Sequence, residues 1–227
     1  MPKIACVGSH GGHQGMYLSR GRSPMNWTIL AGEKYFTISL FKIINNDADS
    51  GPEIFRQKIE ISLTDDINDI YFKCHLALSQ MFTKFLKNTK NINLTKYKGP
   101  YKFLPKMTPA EGFVDWTRSK IDVYNFIRSK TFPYRSAFTY LNKKLLEIKS
   151  VQLINTNFYH KYRCGEIVLI LNDKRLLVSV KKGFLTLEMY EKNITNIKEG
   201  QILKSVNFRK QMKTIIDRHY KTNPKQK

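Results

Sequence analysis

The sequence predicts an α/β chain that gives way to a small barrel-like domain towards its C-terminal end. Three observations predict it. Apolar residues recur at three- and four-residue spacing over residues 67–85, which makes one face of a long amphipathic helix. Two apolar runs, at residues 36–44 and 54–61, flank a segment rich in Asn, Asp and Gly, as strands joined by a turn do. Beyond Ala137 the apolar runs become short and closely spaced, the habit of small barrels and half-open sheets.

Residues 1–24 are rich in Gly, His and Ser and show no clear period, so they read as loop with one short strand at residues 4–7. A helix over residues 25–32 ends at Gly32, which supplies a left-handed C-terminal position. Residues 36–44 alternate and then run apolar, as a buried strand does. Asn45-Asn46-Asp47 makes a turn, because Asn and Asp bond their own backbone. The second strand follows at 54–61. Thr64-Asp65-Asp66 signals a helix N-cap. Behind it, Ile67, Ile70, Tyr71, Cys74, Leu78, Met81, Phe82 and Phe85 form a stripe assigned to the core. Residues 87–110 read as a connecting loop. Asp115-Trp116-Thr117-Arg118-Ser119 opens a further helix that carries Ile121, Val123, Tyr124 and Ile127, ends near Ser129 and is stopped by Phe132-Pro133-Tyr134. Strands are expected at 145–148, 167–171, 176–180 and 184–190, with turns at Asn172-Asp173 and Lys182-Gly183. Residues 205–227 are basic and read as a short helix and a tail. The change of pattern near 135–150 divides the chain into a first domain at 1–140, a barrel-like domain at 141–210 and a basic tail at 211–227.

With 227 residues and 41% hydrophobic content, the chain can build a packed core, which excludes global disorder. Lys and Arg outnumber Asp and Glu by 39 to 18, a net charge of +21. Such a surface draws polyanions and anionic substrates, although Lys, Asn and Ile are abundant along the whole chain. Cys6, Cys74 and Cys164 stand far apart and form no CxxC, so neither a disulfide framework nor a structural zinc site is expected. Residues 1–15 lack the apolar stretch of a signal peptide and no run reaches membrane-spanning length, so a soluble, cytoplasmic protein is expected.

Two segments stand out as candidate chemistry. One is Arg20-Gly21-Arg22-Ser23-Pro24-Met25-Asn26-Trp27, and the other is Asp47-Ala48-Asp49-Ser50-Gly51-Pro52. Joined by the 36–44 strand, they can bring an anion-binding arm and a carboxylate base to the two sides of one cleft. By itself, Asp49 also reads as an Asx turn before Gly51. His10-Gly-Gly-His13 offers two metal ligands on a Gly-rich loop with no third nearby, so no metal site is expected.

These segments, with Met107-Thr108-Pro109-Ala110-Glu111-Gly112-Phe113-Val114-Asp115-Trp116, Tyr124-Asn125-Phe126-Ile127-Arg128, Phe132-Pro133-Tyr134-Arg135-Ser136-Ala137-Phe138-Thr139, Gly165-Glu166-Ile167-Val168 and Lys182-Gly183-Phe184-Leu185, resemble the folate-dependent N-formyltransferases in family order. The resemblance implies a partial Rossmann-like catalytic domain followed by the family's barrel-like domain. It implies transfer of a formyl group from 10-formyltetrahydrofolate to an amine. The family uses an Asn, a His two residues later and a distant Asp. Amine attack creates an oxyanion that needs donors, and a carboxylate must take the extra nitrogen proton. Asp49 matches the family Asp, and Asn46 and Asp47 fall at the donor. His13 is the candidate for the family His, one residue closer to Arg20 than usual, with Gly11 where the Asn should stand. Residues 1–19 depart from the family pattern. The family His lies mid-domain but His13 lies near residue 1, as a truncation or frameshift, completion by another chain, or a degenerate paralogue would each leave it.

For the acceptor, Arg-Gly-Arg-Ser-Pro-x-Asn-Trp resembles the branch acting on nucleotide-linked amino sugars, with Arg22 and Trp27 at the substrate. The alternative acceptor is methionyl-tRNA, which the high charge would suit. A third reading is a non-catalytic module that binds a nucleotide or RNA. No membrane span is expected, and a homodimer is compatible with the resemblance.

Overall fold

The computed structural model describes residues 5–44, 48–89, 92–154, 160–190 and 196–223. The chain is mixed α/β and divides into two compact units, one of residues 1–106 with 219–227 and one of residues 107–218. The division lies upstream of the 135–150 boundary expected from sequence. The segment after Lys106 joins the second unit because its helix packs on that unit's sheet.

In the first unit, strands β1 (Val7–Gly12), β3 (Tyr35–Lys42) and β4 (Glu53–Glu60) form an antiparallel sheet in the order β1-β3-β4. A two-residue parallel pair joins β2 (Arg20–Gly21) to β5 (Phe103–Leu104). Helices α1 (Pro24–Leu30) and α2 (Ile67–Lys87) cover one face of the sheet. Strand residues alternate between faces. Phe36, Ile38 and Leu40 therefore point together into a core with Ile29, Ile59, Ile67, Ile70, Cys74, Met81 and Phe85. The α2 stripe is thus mostly core, but Phe82 at its edge is 41% exposed. Burial pushes the Cys74 thiol up to about 12, so it is no nucleophile at neutral pH. The α2 N-terminus closes with a capping box in which Asp66 accepts from the Asn68 and Asp69 amides and Asp69 accepts from the Asp66 amide.

The expected strand at residues 4–7 is instead β1, further along the Gly-rich segment; residues 1–4 lie outside the described ones. Glycine ordinarily weakens strands. Here it is needed, since a Cβ on Gly11 would lie 2.1 Å from the Thr37 carbonyl oxygen across the ladder.

In the second unit, β6 (Phe138–Leu141), β7 (Lys144–Leu153), β8 (Ile167–Ile170), β9 (Leu176–Val180) and β10 (Gly183–Met189) form an antiparallel half-barrel sheet in the order β6-β7-β10-β9-β8. Strand β6 was not foreseen. Helix α3 (Lys120–Arg128) packs on β7 and β10. It starts at the Ser119 cap rather than at Asp115. Trp116 is fully buried and donates from Nε1 to the Thr139 hydroxyl at 3.3 Å. Helix α4 (Phe208–Thr222) begins where the Asp115 carboxylate accepts the Phe208 amide at 2.9 Å. Arg218 of α4 pairs with Glu111. Among the described residues no helix is long and apolar enough to cross a membrane.

Candidate active site

The face of the β1-β3-β4 sheet opposite the core carries the polar chemistry. His10 stands opposite Ser39 in the ladder, and Ser39 stands opposite Arg56, so the three share that face. Ser39 donates from Oγ to Glu53 at 2.5 Å, and Arg56 meets the same buried carboxylate with two bonds of 2.7 and 3.2 Å. Glu53 is therefore fully engaged within the sheet.

His10 is the imidazole that reaches Asp49. Its Nδ1 lies 3.3 Å from Asp49 Oδ2, with the side chains only 10% and 23% exposed. Its Nε2 lies 2.8 Å from the Ser19 carbonyl oxygen. A carbonyl can only accept, so Nε2 carries hydrogen, and the contact with Asp49 then needs a proton between Nδ1 and Oδ2.

The loop bearing Asp49 is held on both sides. Asp49 itself sits at φ 55, in the left-handed region that Asp tolerates better than most residues. On one side Arg20 donates to the Ala48 carbonyl, its guanidinium lying over the Tyr101 and Phe103 rings at 4.4 and 4.9 Å. On the other, the Tyr17 hydroxyl donates to the Gly51 carbonyl at 3.0 Å. Tyr17 is stacked on Tyr97 with ring centres 4.4 Å apart, and burial, then the charge of Glu53, holds its hydroxyl above the usual tyrosine range. Gly51 is obligatory, since a Cβ there would lie 1.6 Å from the Lys42 carbonyl oxygen.

The residues singled out from sequence fall as follows. Asp49 is in place beside an imidazole. His13 is not that imidazole: it faces Glu33, with Nδ1 3.1 Å from Oε2, and is 40% exposed. His10 and His13 thus have different carboxylate partners and do not converge as metal ligands. Among the described residues, no three His, Cys, Asp or Glu side chains gather as a metal would require. Arg22 is exposed, its amide fixed to the Leu104 carbonyl at 3.3 Å. Trp27 donates from Nε1 to the Pro105 carbonyl at 2.7 Å. Asn46 and Asp47 lie outside the described residues. Sequence reasoning gave Tyr17 no role, placed Arg20 only in an anion-binding arm and weighed His10 only as a metal ligand. The signal for His10 was its place one side chain off the apolar register of a strand that glycines disguised.

The first unit, mixed α/β, carries a recessed His–Asp contact, and the second is built on an antiparallel half-barrel sheet. Residues 106–201 match the family profile "Formyl transferase, C-terminal domain". Over those residues the chain carries that family's C-terminal domain, and along most of its length it is similar to formyltransferases. It is similar to the bifunctional polymyxin resistance protein ArnA of Wigglesworthia glossinidia brevipalpis, 29% identical over 222 residues, covering 95% of this chain and 32% of the relative. The methionyl-tRNA formyltransferase of Ruminiclostridium cellulolyticum is 24% identical over 191 residues, 83% of this chain and 60% of the relative. The chain therefore spans about a third of the first relative and three fifths of the second. Its fold is that of the N-formyltransferase from Helicobacter canadensis, solved with folinic acid and dTDP-3-aminofucose. That likeness has a TM-score of 0.62 at 18% identity and covers 80% of this chain and 66% of the other.

Proposed function

We propose that the chain performs N-formyl transfer from 10-formyltetrahydrofolate to the amine of a nucleotide-linked amino sugar, with His10 and Asp49 as its proton-handling pair. The carrying observation is the 3.3 Å contact between two recessed groups on the polar face of the sheet. The donor supplies an activated formyl carbon. The residues present suit the proton handling: the His10 ring holds the Asp49 carboxylate in place through Nδ1. Asp49 offers the acceptor for the proton that the attacking nitrogen loses. The Ser19 carbonyl fixes the ring so that Nδ1 faces Asp49. The clamps from Arg20 and Tyr17 hold the carboxylate within reach, which conserves orientation rather than adding charge.

The sugar-nucleotide acceptor is supported by the Arg20-Gly21-Arg22-Ser23-Pro24 arm, whose Arg22 guanidinium is exposed on a fixed backbone and suits a phosphate. It is supported also by the sugar nucleotide named with the Helicobacter protein. Methionyl-tRNA is the second acceptor reading, favoured by the net charge of +21 and by the methionyl-tRNA formyltransferase relative. The test is formyl transfer by the full chain, from 10-formyltetrahydrofolate to a dTDP-amino sugar and to methionyl-tRNA in parallel. Formylated sugar nucleotide is expected, lost in Asp49→Asn. Formylation of methionyl-tRNA alone would transfer the proposal to the second acceptor, and no product from either would refute the enzyme reading.

A further inference from the structure

Two helices of the second unit begin at one pocket. Helix α3 starts behind Thr117-Arg118-Ser119 and α4 starts at Phe208. Their first residues and the Lys181-Lys182 turn between β9 and β10 line a cavity of about 830 Å³. Each helix N-terminus adds partial positive charge. Four cationic side chains, Arg118, Lys181, Lys182 and Arg209, face two carboxylates, Asp115 and Asp122.

Both carboxylates are already used. Asp115 accepts from the Thr117 amide and hydroxyl, the Ser205 hydroxyl and the Phe208 amide. Asp122 accepts from the Ser119 hydroxyl at 2.7 Å and pairs with Arg118 Nη2 at 3.2 Å. The cations are less occupied. The Arg118 guanidinium lies 3.7 Å from the centre of the Phe208 ring, and its buried Nη1 has no hydrogen-bond partner among the described residues. Lys181, Lys182 and Arg209 are exposed, with no carboxylate partner among the described residues. Lys182 holds φ 64, a conformation that Gly or Asn would adopt with less strain in a two-residue hairpin turn. A strained backbone at a site of unpaired charge points to a use for the side chain.

We infer that this pocket binds a phosphoryl dianion, the terminal phosphate or diphosphate of a small molecule. The surplus of two positive charges matches one such group. A recessed guanidinium between two helix starts suits a compact anion better than a polymer backbone, which would need a stripe of cations. The inference is independent of the formyl-transfer reading, since every residue of the pocket lies in the second unit.

Calorimetric titration of inorganic pyrophosphate into the full chain at low salt tests it. One-to-one binding is expected, weakened about tenfold or more in a Lys181→Ser/Lys182→Gly double variant. Because Lys182→Gly relieves the turn, that variant is expected to melt no lower than the native chain, which separates lost binding from lost folding. Absence of binding, or equal affinity in the double variant, would overturn the site. A single-stranded RNA that binds through the same two lysines without competition from pyrophosphate would overturn the small-anion assignment.

Discussion

At Asp49 the backbone chooses the cleanest substitution. At φ 55, Asn is nearly as comfortable as Asp, whereas Ala adds about 1 kcal/mol of strain. Asp49→Asn is therefore expected to lower the formyl-transfer rate by about a hundredfold or more with an unchanged melting temperature. His10→Gln is expected to match it. His13→Gln, which touches only the half-exposed pair with Glu33, is expected to change the rate by less than about twofold. A rate comparison of the three variants decides between the two histidines. Residue type alone could nominate Asp49 and a nearby His; it could not choose between His10 and His13, because the choice depends on which one a strand aims at the loop. Lys130 gives a second prediction. Burial brings its ammonium down from 10.5 to about 8, against the opposing charge of Glu111, and its Nζ meets a weak acceptor in Met107 Sδ at 3.0 Å and lies 5.0 Å from the centre of the Phe126 ring. The unfolded chain keeps that proton up to about 10.5, so between these two pH values it binds more protons than the folded chain. Native stability should therefore rise from pH 8 to 10.5. Lys130→Met should remove this rise and add about 1 kcal/mol at pH 7, as read from urea midpoints.

At the scale of the element, caps and close approaches decide stability. Asp66→Ala removes the side chain that accepts two amides at the α2 start. A loss of about 1 kcal/mol is expected in chemical denaturation. Gly51→Ala should be costlier, about 2 kcal/mol or more, because its Cβ would collide with the Lys42 carbonyl. Spectroscopic unfolding of the two variants side by side checks the ranking. Elements with a strong period were legible: α2 and the strands β3, β4, β9 and β10 fall close to where apolar spacing put them. Those that depart from propensity were not. Strand β1 is written in Gly, Ser and His, and its pairing with β3 is imposed by tertiary contact rather than by residue preference. The first residues expected in α3 were claimed instead by Asp115, whose carboxylate organises the turn before the helix and the start of α4.

For the whole molecule, a net charge of +21 is felt by any anionic acceptor before contact. The KM for a sugar nucleotide is expected to rise about threefold or more between 50 and 300 mM salt, with kcat unchanged, as screening shortens the reach of the field. Steady-state kinetics across that range would detect it; a salt-independent KM would mean that the charge is compositional. The order of units was legible from the change in strand spacing. Their boundary was not, because α3 looks alike in sequence whichever sheet it covers. The two faces of the β1-β3-β4 sheet carry a last consequence, for how such chains can vary. Within β1, adding or removing a single residue would swap His10 for a neighbour and turn the imidazole towards the core. Between His10 and Arg20 only the exposed His13-Gln14 turn leaves length free to drift, because Met16 and Tyr17 behind it are buried and Tyr17 holds the Asp49 loop. A motif scored by the number of residues between His and Arg-Gly measures the tolerant segment and ignores the intolerant one. Relatives of this chain should therefore be aligned on strand parity, with gaps allowed only after Gly12.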